Sequence, residues 1–127
     1  KNAKYQFDIC KTHFVNVVPA YLDSILLNLF TNSLKYSSAQ RTPKIKISSK
    51  IIKESVEVRF SDNGLGIDLN RHGQKIFGMY KTFHKHKDAK GIGLFITKNQ
   101  IESMYGSISV ESDLDKGTTF ILKFKKA

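Results

Sequence analysis

The 127 residues carry 21 Lys or Arg against 11 Asp or Glu, a formal charge of +10, with 40% hydrophobic and 25% charged positions. This length suits one domain that buries roughly two-thirds of its unfolded surface, and the composition excludes a disordered chain. The lone Cys10 excludes an intrachain disulfide and a cysteine-rich zinc site, and the shortness of the apolar runs excludes a membrane-spanning helix within these residues.

Tyr5, Phe7 and Ile9 alternate with polar residues and the stretch 14–18 is β-prone, so residues 1–18 predict short extended segments. Pro19 interrupts that pattern. Over residues 20–38 the period changes: Leu22, Ile25, Leu26, Leu29, Phe30 and Ser33 recur at helical spacing and predict a helix lying on a sheet. Ser37, Ser38 and Pro43 bracket its end. Ile45 and Ile47, continued by Ile51 and Ile52, predict one strand; Val56, Val58 and Phe60, alternating with Glu57 and Arg59, predict the next. Residues 67–90 hold no long periodic segment, although 74–80 suits one or two helical turns and 84–90 reads as loop. A second helix opens at Gly91 and reaches about Tyr105, with Ile92, Phe95, Ile96, Ile101 and Met104 on its apolar side. Ile108 and Val110, then Phe120, Leu122 and Phe124, give two final strands joined by a hairpin turn at 113–117. The order predicts an α+β fold: a two-layer sandwich with helices on one face of a mixed, mostly antiparallel sheet.

The positive charge favours anionic partners but is spread along the chain, the one local cluster lying at 81–90. No GxxxxGK[ST] occurs, and Gly91-Ile92-Gly93-Leu94-Phe95-Ile96 lacks the third glycine of a dinucleotide fingerprint. His13, His72, His84 and His86 show no HExxH spacing. Three stretches carry chemistry instead. Asn28, Asn32, Lys35 and Tyr36 share one helix flank beside the apolar stripe, and two carboxamides with an ammonium there can line a cleft, hold a metal and meet phosphate. Asp62-Asn63-Gly64-Leu65-Gly66-Ile67 fixes a carboxylate at a strand end, where it can accept from an exocyclic amine. Gly91-Ile92-Gly93 sets free amides at a helix start, the ordinary form of an anion site.

Together these stretches resemble the catalytic, ATP-binding domain of sensor histidine kinases, in the Bergerat-fold superfamily shared with gyrase and MutL-type ATPases. Residues 26–37 are similar to its N box and residues 62–67 to its first glycine box. Phe77-Gly78-Met79-Tyr80-Lys81-Thr82-Phe83-His84 is similar to its F box, Gly91-Ile92-Gly93-Leu94 to its second glycine box, and Gly117-Thr118-Thr119-Phe120 to its terminal Gly-Thr element. The resemblance spans residues 20–125 and implies ATP and Mg²⁺ as ligands. It implies that Asn32 coordinates Mg²⁺, that Asn28 supports the metal or phosphate shell, that Lys35 meets phosphate and that Tyr36 borders the nucleotide. Asp62 would receive the adenine amine, with Gly64, Gly66 and Ile67 at the base. Phe77 and Phe83 would pack the foot of a lid formed by 81–90, with Tyr80, Lys81, His84 and Lys90 beside the nucleotide. Gly91, Ile92, Gly93 and Leu94 would present backbone to phosphate, and Thr118 or Thr119 would line the adenine side.

Three departures from the family pattern stand out. Position 28 is Asn, where the hydrolysing branches carry a water-activating Glu, so phosphotransfer rather than hydrolysis is implied. Tyr105 stands where a Gly-Gly pair is usual, and Lys90 replaces an extra glycine. None of the four histidines sits in a phosphoacceptor context, so the acceptor is expected on a separate dimerisation domain preceding Lys1, with a response regulator downstream. The expected molecule is a cytoplasmic piece of a homodimeric kinase, monomeric alone and without a nucleic-acid partner. An anti-sigma-type serine kinase or a degenerate ATP-sensing scaffold of the same fold are the alternatives.

Overall fold

The computed structural model describes residues 4–8, 19–69, 77 and 93–125. The elements run β1 (Lys4–Asp8), α1 (Pro19–Lys35), β2 (Lys44–Ile52), β3 (Ser55–Asp62), α2 (Gly93–Ser103), β4 (Ser107–Asp113) and β5 (Gly117–Lys125). The expectations for Ile9, for 14–18 and for the helical turns around 74–80 fall outside the described residues, Phe77 apart.

One five-stranded sheet has the order β1-β2-β3-β5-β4. β1 pairs with β2 in parallel, across the crossover made by α1; every other pair is antiparallel. Both helices lie on one face, as the sequence predicts. Alternation assigns Ile45, Ile47, Phe60, Phe120, Leu122 and Phe124 to that face, where they meet Ile25 and Leu29 of α1 and Ile101 of α2 in one core. Phe30 joins sheet and helix edge-on, its ring 4.9 Å from Phe60 and 5.8 Å from Tyr5. Tyr5 and Phe7 share this face but stay largely exposed, β1 being the edge strand of the sheet.

Pro19 opens α1, where its fixed φ and missing N–H cost nothing. The helix ends at Lys35, three residues before the expected Ser38. Ser37 turns back on it, its hydroxyl donating to the Leu34 carbonyl at 2.9 Å, and the Tyr36 carbonyl leaves the helical pattern to accept from Leu65 N–H at 2.9 Å. The described part of α2 also departs from its expected apolar side. Ile96 is exposed, whereas Thr97 is fully buried. α2 closes in a Schellman motif: Gly106 N–H bonds the Ile101 carbonyl and Tyr105 N–H the Glu102 carbonyl, with Tyr105 in the left-handed region at φ 62°.

Candidate nucleotide-binding site

β3 ends by placing Asp62 on the helix-facing side of the sheet, in register with Ile45 and two residues beyond the buried Phe60. Its carboxylate is held from three directions. Gly64 N–H donates to Oδ1 at 2.9 Å and Thr118 N–H to the same oxygen at 3.2 Å; the Ser33 hydroxyl of α1 donates to Oδ2 at 3.0 Å. Burial holds the carboxyl above its ordinary pKa, and those three hydrogen bonds pull the other way without cancelling it. Oδ1 has two donors while Oδ2 has one, so Oδ2 keeps acceptor capacity for a ligand.

The loop after Asp62 is clamped by Arg41, for which the sequence held no local signal. Its Nε donates to the Asn63 carbonyl at 2.6 Å, and Nη2 to the carbonyls of Gly64 at 2.6 Å and Asp115 at 2.8 Å. Asp115 N–H in turn bonds the Leu65 carbonyl at 2.6 Å, so the β4–β5 turn and the loop after β3 are laced together. Gly64 passes so close to the end of α1 that a Cβ would stand 2.6 Å from the Tyr36 carbonyl oxygen. Gly66, at φ 75°, passes the Asp113 backbone in the same way. What crowds these two glycines is the protein's own backbone, a reason for glycine independent of any ligand.

Ser112 orders the floor. Its hydroxyl donates to the Gly117 carbonyl at 2.8 Å and accepts from Ile67 N–H and from the Thr118 hydroxyl, both at 2.8 Å. The structure separates the two threonines of the Gly-Thr element. Thr118 is buried on the Asp62 side, while Thr119 points through the opposite face and shares a 2.9 Å hydrogen bond with Ser61. Of that expected pair, only Thr118 lines the site.

On α1 and just past its end, Asn28, Asn32, Lys35 and Tyr36 are all half-buried, bordering the core as their spacing predicts. Burial raises the Tyr36 hydroxyl pKa. Lys35 stands in the last turn, where its charge also complements the helix C-terminus. Asn28 bridges the two helices: Nδ2 donates to Thr97 Oγ1 at 3.1 Å and to the Gly93 carbonyl at 3.4 Å. Leu94 is half-buried, and Phe77 packs edge-on against Phe120 with ring centroids 6.5 Å apart. Tyr80, Lys81, Phe83, His84, Lys90, Gly91 and Ile92 lie outside the described residues, and the lid expectation with them.

The donor set fits a metal carried in by phosphate. Among the described residues no cluster of three His, Cys, Asp or Glu could hold a cation alone. Asn28 Oδ1 accepts no hydrogen bond, and the Asn32 carboxamide has no partner, among the described residues. Neutral amide oxygens of this kind complete the shell of a Mg²⁺ whose remaining ligands are phosphate and water.

A family model described as "Histidine kinase-, DNA gyrase B-, and HSP90-like ATPase" matches residues 17–127. The chain belongs to that family. Among curated relatives, the heme sensor protein HssS of Staphylococcus saprophyticus is 32% identical over 78% of this chain and 21% of its own length. The histidine protein kinase SaeS of Staphylococcus aureus is 29% identical over 97% of this chain, and the sensor protein SrrB of the same species is 32% identical over 94%. The chain spans 38% of SaeS and 21% of SrrB. Among solved structures, the catalytic domain of histidine kinase ThkA superposes with a TM-score of 0.82 at 25% identity, covering 98% of this chain and 80% of that one. The mycobacterial sensor histidine kinase MprB gives 0.83 at 17% identity over 98% and 84%. The mixed sheet with helices on one face is therefore the Bergerat ATP-binding fold of histidine-kinase catalytic domains.

Proposed function

We propose that this domain binds Mg-ATP and donates the γ-phosphate to a histidine on a separate dimerisation and phosphoacceptor domain, from which a response regulator receives it. The observation that carries the reading is the Asp62 carboxylate, buried at a strand end with acceptor capacity left on Oδ2. An adenine amine satisfies such an oxygen. Guanine has a carbonyl at the same position and would set acceptor against acceptor. Asn32 and Asn28 would hold the magnesium, which when bound offsets the triphosphate charge. Lys35 adds a point charge. Position 28 offers no carboxylate to activate water, which favours transfer over hydrolysis. Transfer then rests on alignment and charge neutralisation. The names of SaeS and ThkA support the histidine-kinase branch. The working protein is a homodimer through its phosphoacceptor helices, with this domain monomeric and on the cytoplasmic side.

Calorimetric titration with ATP and GTP, with and without Mg²⁺, tests the first half. Magnesium-assisted ATP binding with little GTP binding is expected; no ATP binding by a folded sample contradicts the reading. Labelled ATP tests the second half. The domain alone should stay unlabelled, and adding a phosphoacceptor domain should produce an acid-labile phosphohistidine on that domain. Label on the 127 residues themselves, or acid-stable phosphoserine on a partner, would point to another branch.

A further inference from the structure

Thr97 is fully buried yet carries a hydroxyl into the core, at a place the apolar pattern of α2 does not require. A buried hydroxyl costs free energy unless it is used. Its described partner is Asn28, whose Nδ2 donates to Thr97 Oγ1 at 3.1 Å. The same Nδ2 points at the Gly93 carbonyl, 3.4 Å away. A carbonyl can only accept, so the Gly93 contact sets the nitrogen as the end that meets the α2 backbone, while the Thr97 hydroxyl, able to donate or accept, gives the shorter hold on that nitrogen. Both N–H groups are thereby spent. Oδ1 is left as the free acceptor beside the start of α2, 3.8 Å from where a side chain on Gly93 would begin.

We infer that Thr97 is a positioning residue that holds the Asn28 carboxamide with its oxygen turned to the magnesium and phosphates. The inference rests on the Mg-ATP reading above and adds a residue to it. Without the hydroxyl, orientation depends on the 3.4 Å contact to Gly93 alone, a distance at which a hydrogen bond is weak. The carboxamide is then held by that weak contact alone and samples other side-chain rotamers, which take its oxygen away from the cation. The latch also ties the Asn28 flank of α1 to α2 beside the site.

The test uses Thr97→Val, which keeps the shape and removes the hydroxyl, and Thr97→Ser, which keeps the hydroxyl. ATP affinity is measured in Mg²⁺ and in EDTA, and the Asn28 side-chain amide is followed by ¹⁵N NMR without nucleotide. Thr97→Val should weaken binding about three- to tenfold in Mg²⁺, the worth of one buried hydrogen bond, and less than about twofold in EDTA. Its Asn28 amide signal should shift upfield. Thr97→Ser should restore both. Should Thr97→Val not fold, Thr97→Cys, of similar size and a weak acceptor, takes its place. A folded valine variant with wild-type Mg-ATP affinity overturns the inference, as does equal weakening with and without metal, or a serine variant as weak as valine. Wild-type protein that binds no ATP in either buffer overturns the nucleotide reading itself.

Discussion

Asp62 is where stability and function pull apart. Its folded pKa is raised by burial, so the ionised carboxylate penalises the folded state at neutral pH. The penalty is absent below the unfolded value of 3.8, builds as pH rises through the raised folded pKa, and is full above it. Asn in this place keeps an oxygen for the N–H groups of Gly64 and Thr118, and its amide can donate to the Ser33 hydroxyl. Asp62→Asn should therefore match or exceed wild-type stability at neutral pH, with the difference shrinking on acidification in thermal melts. It should also lose at least about 10-fold in ATP affinity, roughly 1.4 kcal/mol, because an amide faces an amine. A variant both less stable at neutral pH and unchanged in binding would refute both halves. The carboxylate itself was legible from the run Asp62-Asn63-Gly64. Its support was not: Ser33 reads as one more member of a helical stripe, and nothing in a sequence says that Thr118 N–H rather than Thr119 turns toward it.

At the scale of elements, the joints were the hidden part. Strand alternation and the period of α1 follow from residue type, so the sheet and its helical cover could be read. Arg41 sits in a loop with no pattern, and only the fold brings Asn63, Gly64 and Asp115 to it. Arg41→Ala strips donors from three carbonyls, two of them on the Asp62 loop, and should cost about 2–3 kcal/mol in denaturant unfolding. Lys should not rescue it, since one ammonium cannot copy the fork. The exposed Arg41–Asp115 ion pair adds little, so Asp115→Asn should be nearly neutral. The α2 cap gives an opposed pair. At Gly106 a Cβ would run into the Lys123 carbonyl, so Gly106→Ala should destabilise by about 2 kcal/mol or more. Tyr105 holds a left-handed conformation that glycine adopts freely. Among the described residues its one return is a Lys125 ammonium 5.2 Å from the ring centroid. Tyr105→Gly should be neutral or stabilising by up to about 1 kcal/mol, and a loss comparable with that of Gly106→Ala would contradict this account of the cap.

For the whole molecule, charge decides. Glu57, 4% exposed on the open face of the sheet, gathers Arg59 and Lys50, and Glu111 takes the other side of Arg59. Elsewhere on that face like charges meet: Lys4 stands directly against Lys44 in the β1–β2 register, with Lys46 next along the same side of β2. Self-repulsion at +10 should be relieved by screening. The melting temperature is expected to rise by a few degrees between roughly 0.02 and 0.3 M monovalent salt. ATP affinity should fall over the same range. A melting temperature that drops with salt would mean the Glu57 pairs outweigh the repulsion.

The crowding at Gly64 and Gly66, and at Gly117, whose Cβ would run into the Asp62 carbonyl, bears on how such domains age. If the proposed function holds, a duplicated copy released from selection for it could lose Asp62, Asn28 or Asn32 and still fold. It could not lose these glycines, because backbone, not nucleotide, excludes a side chain there. In a diverged copy the glycine box is thus a fossil of the fold, and on the Mg-ATP reading proposed above the carboxylate and the two carboxamides are the parts whose loss would mark a copy that no longer binds nucleotide.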